Sequence, residues 1–229
     1  MSEQQALSLP LPTQKHYGNW VRHAQVEDAS GRLALWFVRG GFLWLSSTEV
    51  AGKSHFLQAL GKENPHVALL ECQYPIVSST LQLKAWLDEC EFKAYWVLDL
   101  PAGELPSAWA YAVFHLIERA KEMNKSLLLC WRCEEKDMLP PELASRLLMM
   151  ERVDMAAPLK DEDLSKVLQS VLNTMQWDMK ETVLPTLLQY VPRQLSVLLT
   201  AIAELDVYSQ KHKMKMNATL AIRVLSKHD

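Results

Sequence analysis

The sequence predicts an α/β fold, with a parallel sheet flanked by helices, followed by a small all-α domain. Two observations support this prediction. Between residues 30 and 133, short apolar runs alternate with segments of helical periodicity, which is typical of parallel strands covered on both faces. Beyond residue 158 the helical periodicity continues without another strand-like run. We therefore predict a tail, an α/β domain and an all-α lid domain over residues 1–16, 17–157 and 158–229.

The predicted strands and helices alternate regularly in the α/β part. The apolar runs predict strands over residues 41–45, 67–72, 94–100 and 126–131. The segments between them predict helices over residues 54–60, 80–89 and 106–123, the last with basic residues that suit a helix C-terminus. Residues 33–38 are ambiguous between helix and strand, because periodicity alone does not separate the two in so short a run.

The C-terminal part predicts four helices. Asp161, Glu162 and Asp163 open the first, where acidic residues complement the helix dipole. Two more helices are predicted over residues 182–190 and 192–210, the second with a proline in its first turn. Asn217 is expected to cap a fourth helix that reaches residue 226.

Composition excludes several classes of protein. The chain has 229 residues, of which 49% are hydrophobic, so it can bury a sizeable core. Its net charge of −3 argues against strong direct DNA binding, which depends on lysine and arginine. No apolar run approaches the roughly 20 residues of a membrane span, and no secretory signal is evident. We therefore expect a cytoplasmic protein without membrane contact.

The cysteines predict neither a disulfide scaffold nor a zinc site. Four cysteines in a chain of this length do not form a disulfide framework. Cys130 and Cys133 form a CxxC pair, but zinc sites of this type need a second pair, which the sequence lacks.

A phosphate-binding loop is predicted between the first strand and the following helix. Residues 47–54 read S-T-E-V-A-G-K-S, close to the pattern G-x-x-x-x-G-K-[ST], in which backbone N–H groups and the lysine hold phosphates and the hydroxyl binds Mg²⁺. Gly52, Lys53 and Ser54 match the pattern, whereas Ser47 replaces the first glycine. The loop predicts binding of ADP or ATP with Mg²⁺, weakened because a Cβ is costly in a tight turn. A relic loop without nucleotide is the alternative.

An acid at the end of the third predicted strand completes this site. Asp99 is expected to reach the Mg²⁺ ion directly or through water, although an ordinary strand-end acid is the alternative. In hydrolysing proteins a second acid follows and orients the attacking water, but this chain has Leu100 there. Because loss of such a group removes orders of magnitude of rate, we do not expect rapid intrinsic hydrolysis.

Several segments resemble the DnaA-related AAA+ proteins. Residues 52–59, G-K-S-H-F-L-Q-A, resemble the loop-to-helix sequence of the DnaA branch. The Hda version of that branch is resembled by A-V-F-H-L-I-E-R at 112–119 and by L-P-P-E-L-A-S-R-L at 139–147 with P-L-K-D-E-D at 158–163. The tail segment Q-A-L-S-L-P-L at 5–11 is similar to the clamp-binding peptide of that family. The resemblance covers essentially the whole chain and implies a P-loop AAA+ domain followed by a helical lid.

The resemblance also implies a function. Hda is a bacterial regulator that binds the DNA polymerase sliding clamp and triggers hydrolysis of the ATP held by DnaA. The chain is therefore expected to regulate replication initiation with DnaA and the sliding clamp as partners, and self-association is left open. A nucleotide-free AAA+ interaction scaffold and a weak ATPase or clamp-loader-like subunit are the alternatives.

Individual roles follow from the same resemblance. Arg146 matches the arginine finger, which reaches the γ-phosphate of a neighbouring subunit and is worth about 10³–10⁵ in rate. Ser196 stands where the lid usually carries a sensor arginine, and Arg193 is the expected substitute. The sensor segment after the fourth strand, T-G-D-R in the family, reads C-W-R-C at 130–133. The residues implied as clamp contacts are Gln5, Leu7, Leu9 and Leu11, although Ala6 occupies the place of the family's glutamine.

Overall fold

The computed structural model describes residues 20–72, 78–132, 139–174 and 182–225. The chain forms two compact units, one spanning Arg22–Ala156 and one that includes the chain from Ala157 onward. The first contains a five-stranded sheet with helices, and the described part of the second contains helices alone. The predicted fold class is therefore confirmed.

The sheet is entirely parallel, with strand order β2-β3-β4-β1-β5. Its strands are β1 (Phe42–Ser46), β2 (Val67–Glu71), β3 (Tyr95–Asp99), β4 (Ser126–Cys130) and β5 (Glu151–Asp154). The first four coincide with the predicted apolar runs, with β1 extending one residue beyond its run. The fifth was not predicted, because only Val153 of its four residues is buried and the strand therefore carries no continuous apolar run.

Five helices accompany the sheet in the described part of this unit. They are α1 (Ala24–Arg39), α2 (Lys53–Glu63), α3 (Ser79–Cys90), α4 (Ser107–Glu122) and α5 (Pro141–Leu148). The ambiguous residues 33–38 belong to α1, whose buried residues recur at helical spacing at Val26, Ala29, Leu33 and Trp36. The hydroxyl of Ser78 caps α3 by accepting a hydrogen bond from the backbone N–H of Leu81 at 3.4 Å.

The second unit contains four helices in its described part. They are α6 (Asp161–Thr174), α7 (Val183–Tyr190), α8 (Leu195–His212) and α9 (Ala218–Leu225). Asn217 caps α9 as predicted, since its side-chain oxygen accepts a hydrogen bond from the backbone N–H of Leu220 at 3.0 Å. The interior is aliphatic and includes Leu168, Leu187, Leu198, Ile202 and Leu205.

Tryptophans dominate the core of the sheet unit. Trp86, Trp96, Trp109 and Trp131 are all fully buried. The indole N–H of Trp86 donates to the backbone oxygen of Glu71 at 2.8 Å, which fixes α3 against the end of β2. Large aromatic side chains bury much apolar area each, so a few of them hold the helices on the sheet. No described helix is long and apolar enough to cross a membrane.

We predict that Tyr95→Phe lowers the free energy of unfolding by about 1 kcal/mol, the usual worth of one hydrogen bond. The Tyr95 hydroxyl donates to the backbone oxygen of Phe37 in α1 at 2.7 Å, and its ring packs against Trp36 and Phe37. Urea denaturation measures the change. Tyr111→Phe is the matched control, because Tyr111 is 55% exposed and its hydroxyl bonds to no described residue. Equal stability of both variants and the wild type would contradict the prediction.

Candidate functional site

The carboxyl ends of three parallel strands meet at one edge of the sheet. Cys130 pairs in register with Asp99 on one side and with Leu45 on the other. Backbone hydrogen bonds extend this pairing past the strand ends, from Leu100 N–H to the Cys130 oxygen at 2.9 Å and from Trp131 N–H to the Leu45 oxygen at 3.1 Å. The residues that follow β1, β3 and β4 are therefore held close together, as in the ligand sites of open α/β sheets.

The predicted phosphate loop joins β1 to α2 at this edge. Gly52 is the N-cap of α2 and has a left-handed backbone (φ 76°), which only glycine adopts without cost. Lys53 and Ser54 follow in the first turn of the helix. The unpaired N–H groups of a helix N-terminus attract anions, so the loop keeps the elements of a phosphate site.

Ser47, which replaces the first glycine of the pattern, is only 3% exposed. Its hydroxyl donates to the backbone oxygen of Glu49 at 2.8 Å and accepts a hydrogen bond from the ammonium of Lys53. Among the described residues, the non-glycine residues with a left-handed φ are Asn124 and Lys213, so Ser47 is not strained. The expected backbone cost of a Cβ is therefore absent, and Ser47 acts on Lys53 instead.

The surroundings of Lys53 in this loop change the pKa of its side chain. Burial lowers the pKa of its ammonium, and the nearby charge of Arg132 lowers it further. An anion at the loop would favour the charged form of the lysine and would compensate for the lost hydration.

A cavity of about 410 Å³ lies in front of the loop. Its lining comprises residues 49–55, the ends of β2 and β3 and the segments that follow β3 and β4. Volumes in this range suit small-molecule ligands. Gly52, Lys53, Ser54 and Asp99, four of the residues predicted to bind nucleotide or metal, all line this cavity.

The acidic end of β3 differs from that of a fast hydrolase. Asp99 lines the cavity and pairs in register with Cys130 of β4. Burial raises the pKa of Cys130 well above its usual value, so the thiol keeps its proton. Leu100, in the place of the second acid, is buried with 6% exposure. Asp99 therefore has no second acid directly after it.

Two charged residues of the cavity that lie outside the phosphate loop were missed by sequence reasoning. Glu71 lies at the end of β2, in register with Asp99. Arg132 follows β4, and its guanidinium makes no hydrogen bond or ion pair with any residue that the structure describes. Their position directly after strand-like runs is the signal that could have identified both, since parallel strands end at one edge.

No group of three or more histidine, cysteine and acidic side chains within the described ranges could hold a metal ion. Cys130 is a free thiol, and Cys133 of the CxxC pair lies outside the described residues. Mg²⁺ is usually held by one or two carboxylates together with water and substrate phosphates, so Ser54 and Asp99 alone would not form a complete Mg²⁺ site.

Arg146 lies on α5 and is not among the residues that line the cavity. Its Nε donates to Glu118 of α4 at 2.5 Å, and its guanidinium lies over the ring of Phe114 at 5.4 Å from the centroid. The hydrogen bond from Arg146 lowers the pKa of Glu118. Leu148 and Met149 are highly exposed beside it, at 78% and 69%. The arginine is thus held at the surface next to exposed apolar side chains.

The remaining predicted contacts lie in the second unit or outside the described residues. Within the second unit, Arg193 forms an ion pair with Asp161 at 2.9 Å. Its predicted role at a nucleotide stays a prediction. Residues 1–19 lie outside the described chain, and so do the predicted clamp contacts Gln5, Leu7, Leu9 and Leu11.

No protein-family model matches the chain. Its structure is similar to domain III of the replication initiation protein DnaA from Thermotoga maritima, with a TM-score of 0.70 and 17% identity over 95% of this chain and 98% of that chain. It is also similar to the T. maritima RuvB Holliday junction branch migration motor (TM-score 0.62, 13% identity, 93% and 71% covered). A third similar structure is AMPPCP-bound DnaA from Aquifex aeolicus (TM-score 0.56, 14% identity, 84% and 65% covered). These likenesses establish the fold alone, and the chain has the fold seen in domain III of DnaA.

Proposed function

We propose that this chain is a cytoplasmic AAA+ regulator of replication initiation of the Hda type, which promotes hydrolysis of DnaA-bound ATP together with the DNA polymerase sliding clamp. The observation that carries the proposal is a phosphate loop that faces Asp99 across a cavity while buried Leu100 replaces the water-positioning acid. Such a site can hold phosphates but lacks the group that makes a fast ATPase. It therefore suits a regulator better than a motor.

The residues of the cavity fit a nucleoside di- or triphosphate with Mg²⁺. Lys53 and the N–H groups at the start of α2 would hold the phosphates, and Ser54 and Asp99 would ligate the metal ion. Arg132 adds a second positive charge to the cavity. When bound, the nucleotide would supply the negative charge that Lys53 and Arg132 face. We further propose that Ser47 weakens this binding.

The surface position of Arg146 supports its role as a finger acting on another subunit. Glu118 and Phe114 hold the guanidinium through Nε and one ring face. Toward the described residues, Nη2 makes no hydrogen bond, and Nη1 makes only a long one of 3.5 Å to Ser145. The outer edge of the guanidinium can therefore donate to a phosphate of DnaA-bound ATP while Nε keeps its partner.

A nucleotide-free AAA+ scaffold is the second candidate. The hydrogen bond between Lys53 and Ser47 favours it, because the lysine has an acceptor inside its own loop. A weak ATPase or clamp-loader-like subunit is disfavoured by Leu100. Self-association of the chain would be compatible with each of these functions.

We predict that the purified protein binds ADP and ATP with Mg²⁺ and that Lys53→Ala weakens binding by about tenfold or more, since a buried ammonium is lost from the site. Isothermal titration measures the affinities. Lys166→Ala is the control, because Lys166 pairs only with Asp163 on the surface of α6. If the wild type shows no binding, the scaffold replaces the regulator as the preferred function.

We predict that the protein accelerates ATP turnover by DnaA in the presence of clamp and DNA, and that Arg146→Ala abolishes most of this acceleration. A finger supplied in trans is worth about 10³–10⁵ in rate. Turnover is followed by phosphate release. Arg32→Ala is the matched control, since Arg32 is another surface arginine paired with carboxylates, Asp28 and Glu151. Equal acceleration by wild type and Arg146→Ala would refute the finger assignment.

We predict that deletion of residues 1–12 prevents capture of the sliding clamp in a pull-down. The deletion removes Gln5, Leu7, Leu9 and Leu11 together. The melting temperature and the nucleotide affinity of the truncated protein serve as controls for folding. Undiminished capture of the clamp after the deletion would show that residues 1–12 are not its binding site.

A further inference from the structure

The side chains of Ser47 and Lys53 contact each other inside the phosphate loop. We infer that the Ser47 hydroxyl is an internal competitor for the Lys53 ammonium and thereby sets the affinity of this loop for the outer phosphates of a nucleotide. The inference rests on the proposed nucleotide site and gives a physical reason for its weakness. It assigns an affinity-determining role to a side chain that the phosphate-loop pattern does not contain.

The hydroxyl of Ser47 is fixed as an acceptor. A serine hydroxyl has one proton to donate, and that proton is used in the 2.8 Å hydrogen bond to the backbone oxygen of Glu49. Its lone pairs then face Lys53, which donates to it. Because Ser47 is 3% exposed, water has little access with which to displace either bond.

Partial burial of the Lys53 ammonium strengthens its hydrogen bond to Ser47. Lys53 is half-buried in the loop, so its ammonium loses part of its hydration there. A desolvated ammonium needs oxygen partners, and hydrogen bonds to a charged donor are shorter and stronger than neutral ones. A phosphate that approaches the loop must therefore share the ammonium with Ser47 or displace it.

Backbone strain is the competing explanation, and the structure argues against it. Ser47, at the first glycine position of the pattern, does not have a left-handed φ. If strain were the cause, only glycine would relieve it. If the hydroxyl is the cause, alanine relieves it as well. The two explanations therefore differ in the predicted behaviour of Ser47→Ala.

The identity of the nucleotide gives a second discriminating measurement. In loops of this pattern the lysine reaches the β- and γ-phosphates rather than the α-phosphate. Release of Lys53 from Ser47 should therefore improve binding of ADP and ATP and leave binding of AMP unchanged. A general loosening or repacking of the loop would affect all three nucleotides.

The experiment measures affinities for AMP, ADP and ATP with Mg²⁺ by isothermal titration. The variants are Ser47→Ala, Ser47→Gly, Lys53→Ala and the double variant of Ser47→Ala with Lys53→Ala. We expect both Ser47 variants to bind ADP and ATP about tenfold more tightly than the wild type, the scale of one hydrogen bond to a charged group. The double variant should bind no better than Lys53→Ala, because the hydroxyl acts through the lysine.

Ser30→Ala is the matched control for the loss of a hydroxyl. Its hydroxyl donates to the backbone oxygen of Val26 within α1, and Ser30 does not line the cavity. Melting curves establish that each variant is folded before its affinity is compared. If Ser47→Ala does not fold, the glycine variant carries the test through its ADP-to-AMP preference.

Several results would overturn the inference. A gain of affinity with glycine but not with alanine would indicate backbone strain, and a loss with alanine would show that Ser47 positions Lys53 for the ligand. Unchanged affinities, in a wild type whose binding depends on Lys53, would overturn the competitor alone. Absence of nucleotide binding in every variant would instead overturn the proposed nucleotide site, and the competitor with it.

Discussion

Parallel pairing of β1 with β4, and of β4 with β3, is the constraint on which the site depends. Because the strands run in one direction, their carboxyl ends lie at one edge of the sheet. There the register places Leu45 and Asp99 on either side of Cys130. The predicted phosphate loop and Asp99 are distant in sequence, and this pairing brings Lys53 and Asp99 to a common cavity. A shift in register would separate them without altering either motif.

The cavity contains both positive and negative side chains, so the binding of a phosphate depends on the balance between attraction and repulsion. Lys53 and Arg132 face three carboxylates, those of Glu49, Glu71 and Asp99. A phosphate entering this cavity is attracted by the two cations and repelled by the acids, and interactions between charges are stronger in a partly buried site than in water. A divalent cation between phosphate and Asp99 would turn repulsion into attraction. The lysine and such a cation would therefore have complementary effects on a bound phosphate, and neither alone would make the cavity a good phosphate site.

The sequence predicts those parts of the fold and site in which local pattern and tertiary environment agree. The first four strands are buried on both faces and read as apolar runs, and Gly52 and Lys53 belong to a motif of fixed spacing. The edge strand β5 buries only Val153 and has no such pattern. Arg132 and Glu71 become site residues only through strand pairing. The bond between Arg146 and Glu118 joins residues 28 apart in the sequence, which periodicity does not reveal.

The two cations with proposed functions, Lys53 and Arg146, are each held by an oxygen of this chain, but in different settings. Lys53 is partly desolvated and donates a hydrogen bond to a neutral hydroxyl. The hydroxyl is a weak acceptor, but the desolvated ammonium depends on it for the interactions it has lost with water. Arg146 is bonded to a carboxylate, yet that pair is about one-third exposed, and solvent screens it. The outer edge of the Arg146 guanidinium can therefore donate to a phosphate while Nε keeps Glu118, whereas the neutral hydroxyl of Ser47 competes for the half-buried Lys53 more effectively than its lack of charge suggests. Burial, rather than the formal charge of the partner, decides which cation is available to an incoming phosphate.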